Sequence, residues 1–312
     1  MGALFFYFFI HVGTMANILV GEAEQAYITA GAQTNVRGDG RQRGDIRRVD
    51  IQLGVIPNAT GSARVRIGGT DIIVAAKADI GQPRDDRPDA GLIKFHVECS
   101  PVASPAFRGR GGEELGSELA RSLERSFYVG PTTPSSMAPI DLTALKIVSG
   151  KTCWILYIDA LVLDLDGAAL DATSIAVKAA LTDCAIPKVE IVPGSSIDDE
   201  PELEVDDDPE TALRLDVSRV PLYLTVCLLG PSTVLIDPTA EEEESSQAQV
   251  QVAVDGRGTV CGITKRREEA IETGMVMEMI ALAQQKGRQL HTSLHSFFAT
   301  AAVATDDDDM DT

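Results

Sequence analysis

The run Cys153–Asp164, CWILYIDALVLD, constrains this chain most. It is almost wholly apolar, without the alternation that would leave one face to water. Successive strand residues point to opposite faces of a sheet, so such a run reads as a strand covered on both sides. Ala168 to Leu181 follows as AALDATSIAVKAAL, a helix of small residues able to lie close on that sheet. Layers of this kind need a sizeable core. The 44% hydrophobic and 24% charged fractions over 312 residues supply one. They exclude a collagen, a mostly disordered chain and a small disulfide-stapled domain.

Elements on either side fit the same plan. Residues 22–31 read as a short helix ending at Gly31. Val49, Ile51 and Leu53 alternate with polar residues, as does Ala63-Arg64-Val65-Arg66-Ile67. Gly68-Gly69 then turns the chain into Ile72–Ala76, giving a hairpin. Leu92–Cys99 is a further strand. Leu115, Leu119, Leu123 and Phe127 recur every four residues and predict a helix over Glu113–Phe127, its first-turn acids suiting the positive end of the helix dipole. Pro187–Val192 is one more short strand. Strands restart near 213–217, 222–229, 234–236, 250–254 and 260–264, and a helix from Arg267 to Phe298 closes the chain. Met275, Met279, Leu282, Lys286 and Gln289 lie near one face of it, with Gly287 weakening its middle. Strands followed by a helix, twice, imply an α+β or α/β chain of two lobes. The boundaries are 1–30 for an N-terminal extension and short helix, 31–194 for the first lobe, 195–209 for an acidic linker, 210–300 for the second lobe and 301–312 for an acidic tail.

Charge divides the halves. The net charge of −20 splits into −3 for residues 1–194 and −17 for 195–312. The acids form runs at 198–210, 241–244 and 306–311. Runs of like charge stay solvated, so the first and last are expected to be a loop insert and a tail. A cationic surface over the whole protein is excluded, and any RNA contact falls to the N-terminal half or to partner chains.

The five cysteines, Cys99, Cys153, Cys184, Cys227 and Cys261, are odd in number and form no CxxC pair. They read as buried free thiols of a reducing compartment. His96 is isolated, and His291 and His295 stand four apart without the glutamate of a zinc helix, so no metal is expected. Ala3–Val12 is an apolar run of ten, half of the about 20 residues a membrane span needs. The first basic residue is Arg37, which argues against a secretory signal, and residues 1–14 are expected to be a disordered extension or a mis-assigned start.

Several segments resemble the ribonuclease PH family. Arg37-Gly38-Asp39-Gly40-Arg41, with Asp45 and Arg47, is similar to its opening motif. Asn58–Val65 followed by Gly69–Val74 resembles its first hairpin. Phe107–Gly116 and Ser174–Leu181 resemble the branch formed by a eukaryotic exosome ring subunit, of the exosome complex component 7 type. Asp237-Pro238-Thr239 and Glu241–Glu243 also fit. The resemblance covers about residues 20–300. It implies an α+β, two-lobed ribonuclease PH-like fold, each lobe a mixed sheet with packed helices, with six family members closing into a ring around a channel for single-stranded RNA. It also implies other ribonuclease PH-like ring subunits, cap subunits and an associated nuclease as partners. A location in nucleus, nucleolus and cytoplasm follows from it, with no cofactor and no membrane.

Active members of the family attack RNA with inorganic phosphate and carry an Asp-Gly-Gly-Thr-Arg-like turn after the central strand. Here that stretch reads Asp164-Leu165-Asp166-Gly167-Ala168-Ala169-Leu170. Aligning Asp164 puts the Thr-Arg pair on Gly167 and Ala168; aligning Asp166 puts it on Ala169 and Leu170. Neither register has an arginine or a hydroxyl, so no catalytic residue is assigned; the rival reading is an active phosphate-dependent exoribonuclease. Asp164 and Asp166, two apart on a strand, would share one face and be solvated or paired with a cation. Arg108-Gly109-Arg110-Gly111-Gly112, ahead of a helix, is the best candidate anion site: glycine amides and a helix N-terminus approach a phosphate while Arg108 and Arg110 supply charge for RNA. A tight loop or a subunit contact explains the same residues equally well. Arg64 and Arg66 share a strand face and either meet RNA or pair with acids of their own sheet.

Overall fold

The computed structural model describes residues 10–11, 20–107, 109–128, 138–192, 202–206, 208 and 211–308. Two described elements precede the first lobe: β1 (Ile10–His11) and helix α1 (Glu22–Gln33). The rest of the apolar 1–14 segment lies outside the described residues. The first-lobe sheet is built from β2 (Val49–Leu53), β3 (Gly61–Ile67), β4 (Thr70–Gly81), β5 (Leu92–Cys99), β6 (Lys146–Val148) and β7 (Thr152–Asp164). Its spatial order is β2-β3-β4-β7-β5, with β6 also against β7.

The long apolar run forms β7 at the centre of this sheet, antiparallel to β4 and parallel to β5. Parallel neighbours need a crossover. It contains helix α2 (Gly111–Phe127), whose buried stripe Leu115, Leu119, Leu123 and Phe127 follows the four-residue spacing. The covering of β7 is less complete than its apolarity predicts, since Asp159 and Leu161 are exposed near its end. Helix α3 (Ala169–Asp183) packs on β3 and β4. It is buried continuously from Ala169 to Leu181 because it is clasped from its other side by the second lobe. Small side chains all round a helix are what a position between two layers demands.

Short pairs follow: β8 (Ala185–Ile186), β9 (Lys188–Val192), β10 (Glu202–Asp206) and β11 (Leu213–Arg214), with β8 on β11 and β9 on β10. The second lobe then forms from β12 (Leu222–Leu229), β13 (Thr233–Ile236), α4 (Ala240–Ser245), β14 (Ala248–Val254), β15 (Val260–Arg266) and α5 (Thr273–Asp308). Its sheet order is β1-β15-β14-β12-β13, and α1 returns to pack beside β13 and α4. One hydrophobic cluster runs from the first-lobe sheet through α3 into Val220, Leu222, Tyr223 and Ala253, so the lobes share a core.

Five expectations are corrected. The acidic linker is not all loop: residues 202–206 form β10, because Leu203 and Val205 alternate with acids and Lys188 stands opposite Asp206. The tail expected over 301–312 continues the helix to Asp308 through the alanine-rich stretch after Phe298. Buried positions on α5 are Met279, Ala283, Gly287, His291 and Leu294, one step round from the stripe read in sequence. Gly287 does not weaken this helix but permits its close approach to the sheet: a Cβ there would lie 2.9 Å from that of Val254. Finally, Cys153, Cys184 and Cys227 are buried free thiols, whereas Cys261 is exposed.

Candidate functional site

Strands β5 and β7 are parallel, with Cys99 opposite Val162. Residues 109–112 and 164–170, from the two segments singled out in sequence, therefore leave the same end of the sheet. The carboxyl ends of parallel strands are where open α/β sheets place ligands.

The 164–168 turn is held from several directions. Asp164 ends β7 and is exposed, its carboxylate accepting from the next backbone N–H at 2.8 Å. Asp166 lies beyond the strand, so the expected shared strand face does not exist. Thr70 Oγ1 clamps the turn, accepting from Asp166 N and donating to Gly167 O, both at 2.9 Å. Gly167 has φ +73°, and a Cβ on it would stand 2.5 Å from Pro238 O, which enforces glycine there. Ala168 adopts φ +48° and opens α3 without a capping side chain.

The opening motif and the second-lobe acids turn out to be each other's partners. Buried Arg37 donates to Glu242 from Nε at 2.8 Å and from Nη2, and to the carbonyls of Ile236 and Asp237 at 2.9 and 2.7 Å. Arg47 donates to Asp237 Oδ1 from Nη2 at 2.7 Å and reaches the Asp166 carbonyl from Nη1 at 2.6 Å. Arg41 adds a third contact, Nη1 to Asp237 Oδ2 at 3.0 Å. Glu242 belongs to a capping box with Thr239 that begins α4. The run Glu241–Glu244 is therefore not a solvated face. Glu241 is exposed, but Glu242 is buried, Glu243 is half-buried, and Glu244 meets Arg267 at 3.0 Å. Sequence reasoning missed this because guanidinium and carboxylate lie about 200 residues apart in the chain, as the Arg37–Glu242 separation of 205 shows.

This arrangement fixes the electrostatics at the start of α3. Glu243 accepts from Ala168 N at 2.9 Å, and Asp166 Oδ1 accepts from Ala240 N at 3.2 Å. One turn along, buried Asp171 accepts from Thr225 N and Oγ1 at 2.6 and 2.7 Å. Burial pushes the carboxyls of both Asp171 and Glu243 above the usual range. The helix N-terminus, otherwise an anion site, is faced by the chain's own carboxylates. Asp166 pairs with Arg47 at 3.4 Å, as expected of a cation-paired carboxylate, whereas Asp164 has no ion pair among the described residues.

Of the two candidate RNA-binding arginines, Arg108 lies outside the described residues. Arg110 is exposed in the turn that follows Gly109, which has φ +86°, and its carbonyl accepts from Glu114 N at 3.0 Å. Arg110 makes no ion pair among the described residues. Two glycines of the segment serve packing: a Cβ on Gly112 would lie 3.2 Å from Cys99 O, and one on Gly116 2.2 Å from Val97 O. Arg64 and Arg66 both pair with Asp71, at 2.6 and 2.9 Å, which favours the account in which they neutralise their own sheet.

Comparison with known proteins matches residues 45–187 to the 3′ exoribonuclease family, domain 1, and residues 219–286 to domain 2 of the same family. The chain belongs to the 3′ exoribonuclease, or RNase PH, family. The split between the matches falls where the first lobe hands over to the second. A Dictyostelium discoideum relative carrying the RRP42 name is 33% identical, over 86% of this chain and 94% of its own. The exosome complex component Rrp42 of Methanothermobacter thermautotrophicus is 34% identical, over 87% of this chain and 94% of its own. Among solved structures, an Archaeoglobus fulgidus exosome with RNA bound to the active site superposes with a TM-score of 0.72 at 29% identity, covering 89% of this chain and 100% of that one.

Proposed function

We propose that this chain is a structural ring subunit of an RNA exosome, with no phosphorolytic site of its own. Assembly with other RNase PH-like subunits is supported by two relatives matched over nearly their whole length, one named an exosome complex component and the other an exosome complex exonuclease. Cap subunits, an associated nuclease and single-stranded RNA in the channel complete the partners, and the assembly works in nucleus, nucleolus and cytoplasm.

The observation that carries the non-catalytic reading is the occupation of the α3 N-terminus by Glu243. In the register with Asp164 as the family's aspartate, Gly167 and Ala168 stand where active members carry Thr-Arg. A phosphate arriving there meets Glu243 and Asp166, and the nearby Arg47 is already committed to Asp237 and Asp166. At about 4 Å, two like charges repel by about 4 kcal/mol for an effective dielectric of about 20. Arg110, exposed at the same end of the sheet, is left to contact RNA passing through the assembled channel, together with Arg108.

The test uses the purified chain with a single-stranded RNA and inorganic phosphate. No shortening is expected, and release of nucleoside diphosphates by clean protein refutes the reading. Co-expression with candidate neighbours, followed by mass spectrometry of what co-purifies, tests membership of the ring; a stable monomer that recruits no other RNase PH-like chain refutes it.

A further inference from the structure

Four cationic side chains are buried among the described residues: Arg37, Arg47, Lys178 and Arg266. Three have a carboxylate partner, namely Glu242, Asp237 and Glu118. Lys178 has none within 4.0 Å among the described residues. Its ammonium donates to His291 Nδ1 at 3.1 Å and reaches the Ser218 carbonyl at 3.5 Å. His291 donates from Nε2 to Val254 O at 2.8 Å, so its Nδ1 is the acceptor and the ring is neutral. Burial and the Lys178 charge lower the His291 pKa to about 4. A buried charge satisfied only by neutral groups is costly unless something else neutralises it.

Lys178 also lines a cavity of about 600 Å³ between the 215–218 segment and α5, walled by Leu215, Val217 and Phe298 on its apolar side. The site is separate from the 164–168 turn: Lys178 is nine residues along α3 from Ala169, about 14 Å at 1.5 Å per residue. The groups facing the ammonium are His291, Asp216 and Asp255. Asp216 is engaged by Ser218 N at 2.9 Å, and Asp255 lies 3.7 Å from Arg219.

We propose that this cavity binds a small organic anion, a carboxylate or phosphate head group on an apolar body, with the head group paired to Lys178. The ligand supplies the direct ion pair that the other three buried cations make within the protein and that Asp216 and Asp255, farther from the ammonium, do not form with Lys178, and Leu215, Val217 and Phe298 take its apolar part. Burial lowers the Lys178 pKa to about 8, against the opposing pull of Asp216 and Asp255. An anion that pairs with the ammonium raises it again, so binding above that pH takes up a proton.

Isothermal titration calorimetry of the full chain tests this, with phenylacetate and phenyl phosphate as probes, phenylacetamide as the neutral analogue and inorganic phosphate as the head group without a body. One saturable site is expected for at least one organic anion, and which of the two binds distinguishes carboxylate from phosphate. Lys178→Met should weaken it at least tenfold, and Asp216→Asn should tighten it by removing the opposing charge. Between pH 8.5 and 9.5 affinity should fall about tenfold per unit, with proton uptake visible as buffer-dependent heat. Saturation by neither organic anion overturns the proposal. So does phenylacetamide binding as tightly as phenylacetate, inorganic phosphate binding as tightly as phenyl phosphate, or Asp216→Asn leaving affinity unchanged, this last variant being informative even where Lys178→Met fails to fold.

Discussion

Replacing Asp237 by alanine should be among the most damaging single changes in this chain, because its buried carboxylate holds two arginines. Its carboxylate takes Arg47 Nη2 at 2.7 Å, Arg41 Nη1 at 3.0 Å and the Arg47 backbone N–H at 2.7 Å. The Asp237 side chain is 5% exposed and that of Arg47 7%, so solvent does little to screen the pair. Removing one partner of a buried pair strands the other charge, at about 3–5 kcal/mol. Arg41 keeps Asp39 at 2.7 Å, whereas the one carboxylate left to Arg47 is Asp166 at 3.4 Å, its other contacts being to the neutral carbonyls of Asp166 and Pro238. The loss therefore falls mainly on Arg47. For a urea m-value of about 3 kcal/mol/M, the midpoint should drop by about 1–2 M. Pulse proteolysis of the full chain across a urea series measures it. Arg47→Met combined with Asp237→Leu should recover most of the loss, because two apolar groups leave no charge behind. A single-variant effect below about 1 kcal/mol, typical of an exposed pair, refutes the reading of this cluster as the buried lock between the lobes.

Two further predictions concern charge. Changing Arg108 and Arg110 together to Glu should weaken RNA binding by the assembled ring and flatten its salt dependence while leaving the ring intact; gel-shift titrations at several salt concentrations check it, and a ring that falls apart identifies an interface loop instead. His291 is held neutral with its pKa lowered to about 4 from 6.5, so its contribution to stability is present above pH 6.5 and is lost as pH falls through 4. His291→Gln should flatten the fall in thermal stability between pH 6.5 and 4 relative to the parent chain.

The fold was largely legible because its signals are local. The unbroken apolarity of 153–164 marks a central strand, the spacing from Leu115 to Phe127 marks an amphipathic helix, and β5 and β12 coincide with their apolar runs. The errors occur where charge was weighed as a total. Residues 202–206 alternate correctly for a strand but sit in an acidic run, and Glu241–Glu244 carries a helix start that Thr239 signals through its capping box. The missing link was pairing across the lobes: nothing near Arg37, Arg41 or Arg47 in the chain points to Asp237 or Glu242. Lys178 was hidden for a related reason, since a lone lysine in a small-residue helix reads as an ordinary solvated position until the second lobe is seen to cover it.

The lobe lock and the closed turn are one structure, which predicts that catalysis cannot be restored by returning the missing pair. In Gly167→Thr/Ala168→Arg, a β-branched side chain enters a φ of +73° and brings a Cβ to within 2.5 Å of Pro238 O. The left-handed backbone alone costs about 1–2 kcal/mol for such a residue, and the clash moves the 238–240 segment that starts α4. That segment carries Glu242 to Arg37 and Glu243 to Ala168, so relieving the clash loosens the salt bridge that locks the lobes. The new arginine would find Glu243 and Asp166 beside it and pair with them before any phosphate. The double variant should melt several degrees below the parent chain and release no nucleoside diphosphate from RNA. Adding Glu243→Gln should lower competition for the arginine without repairing the backbone. A double variant that keeps parental stability, or that acquires phosphate-dependent cleavage, would show that the turn tolerates the active sequence and that its closure is not built into the contact between the lobes.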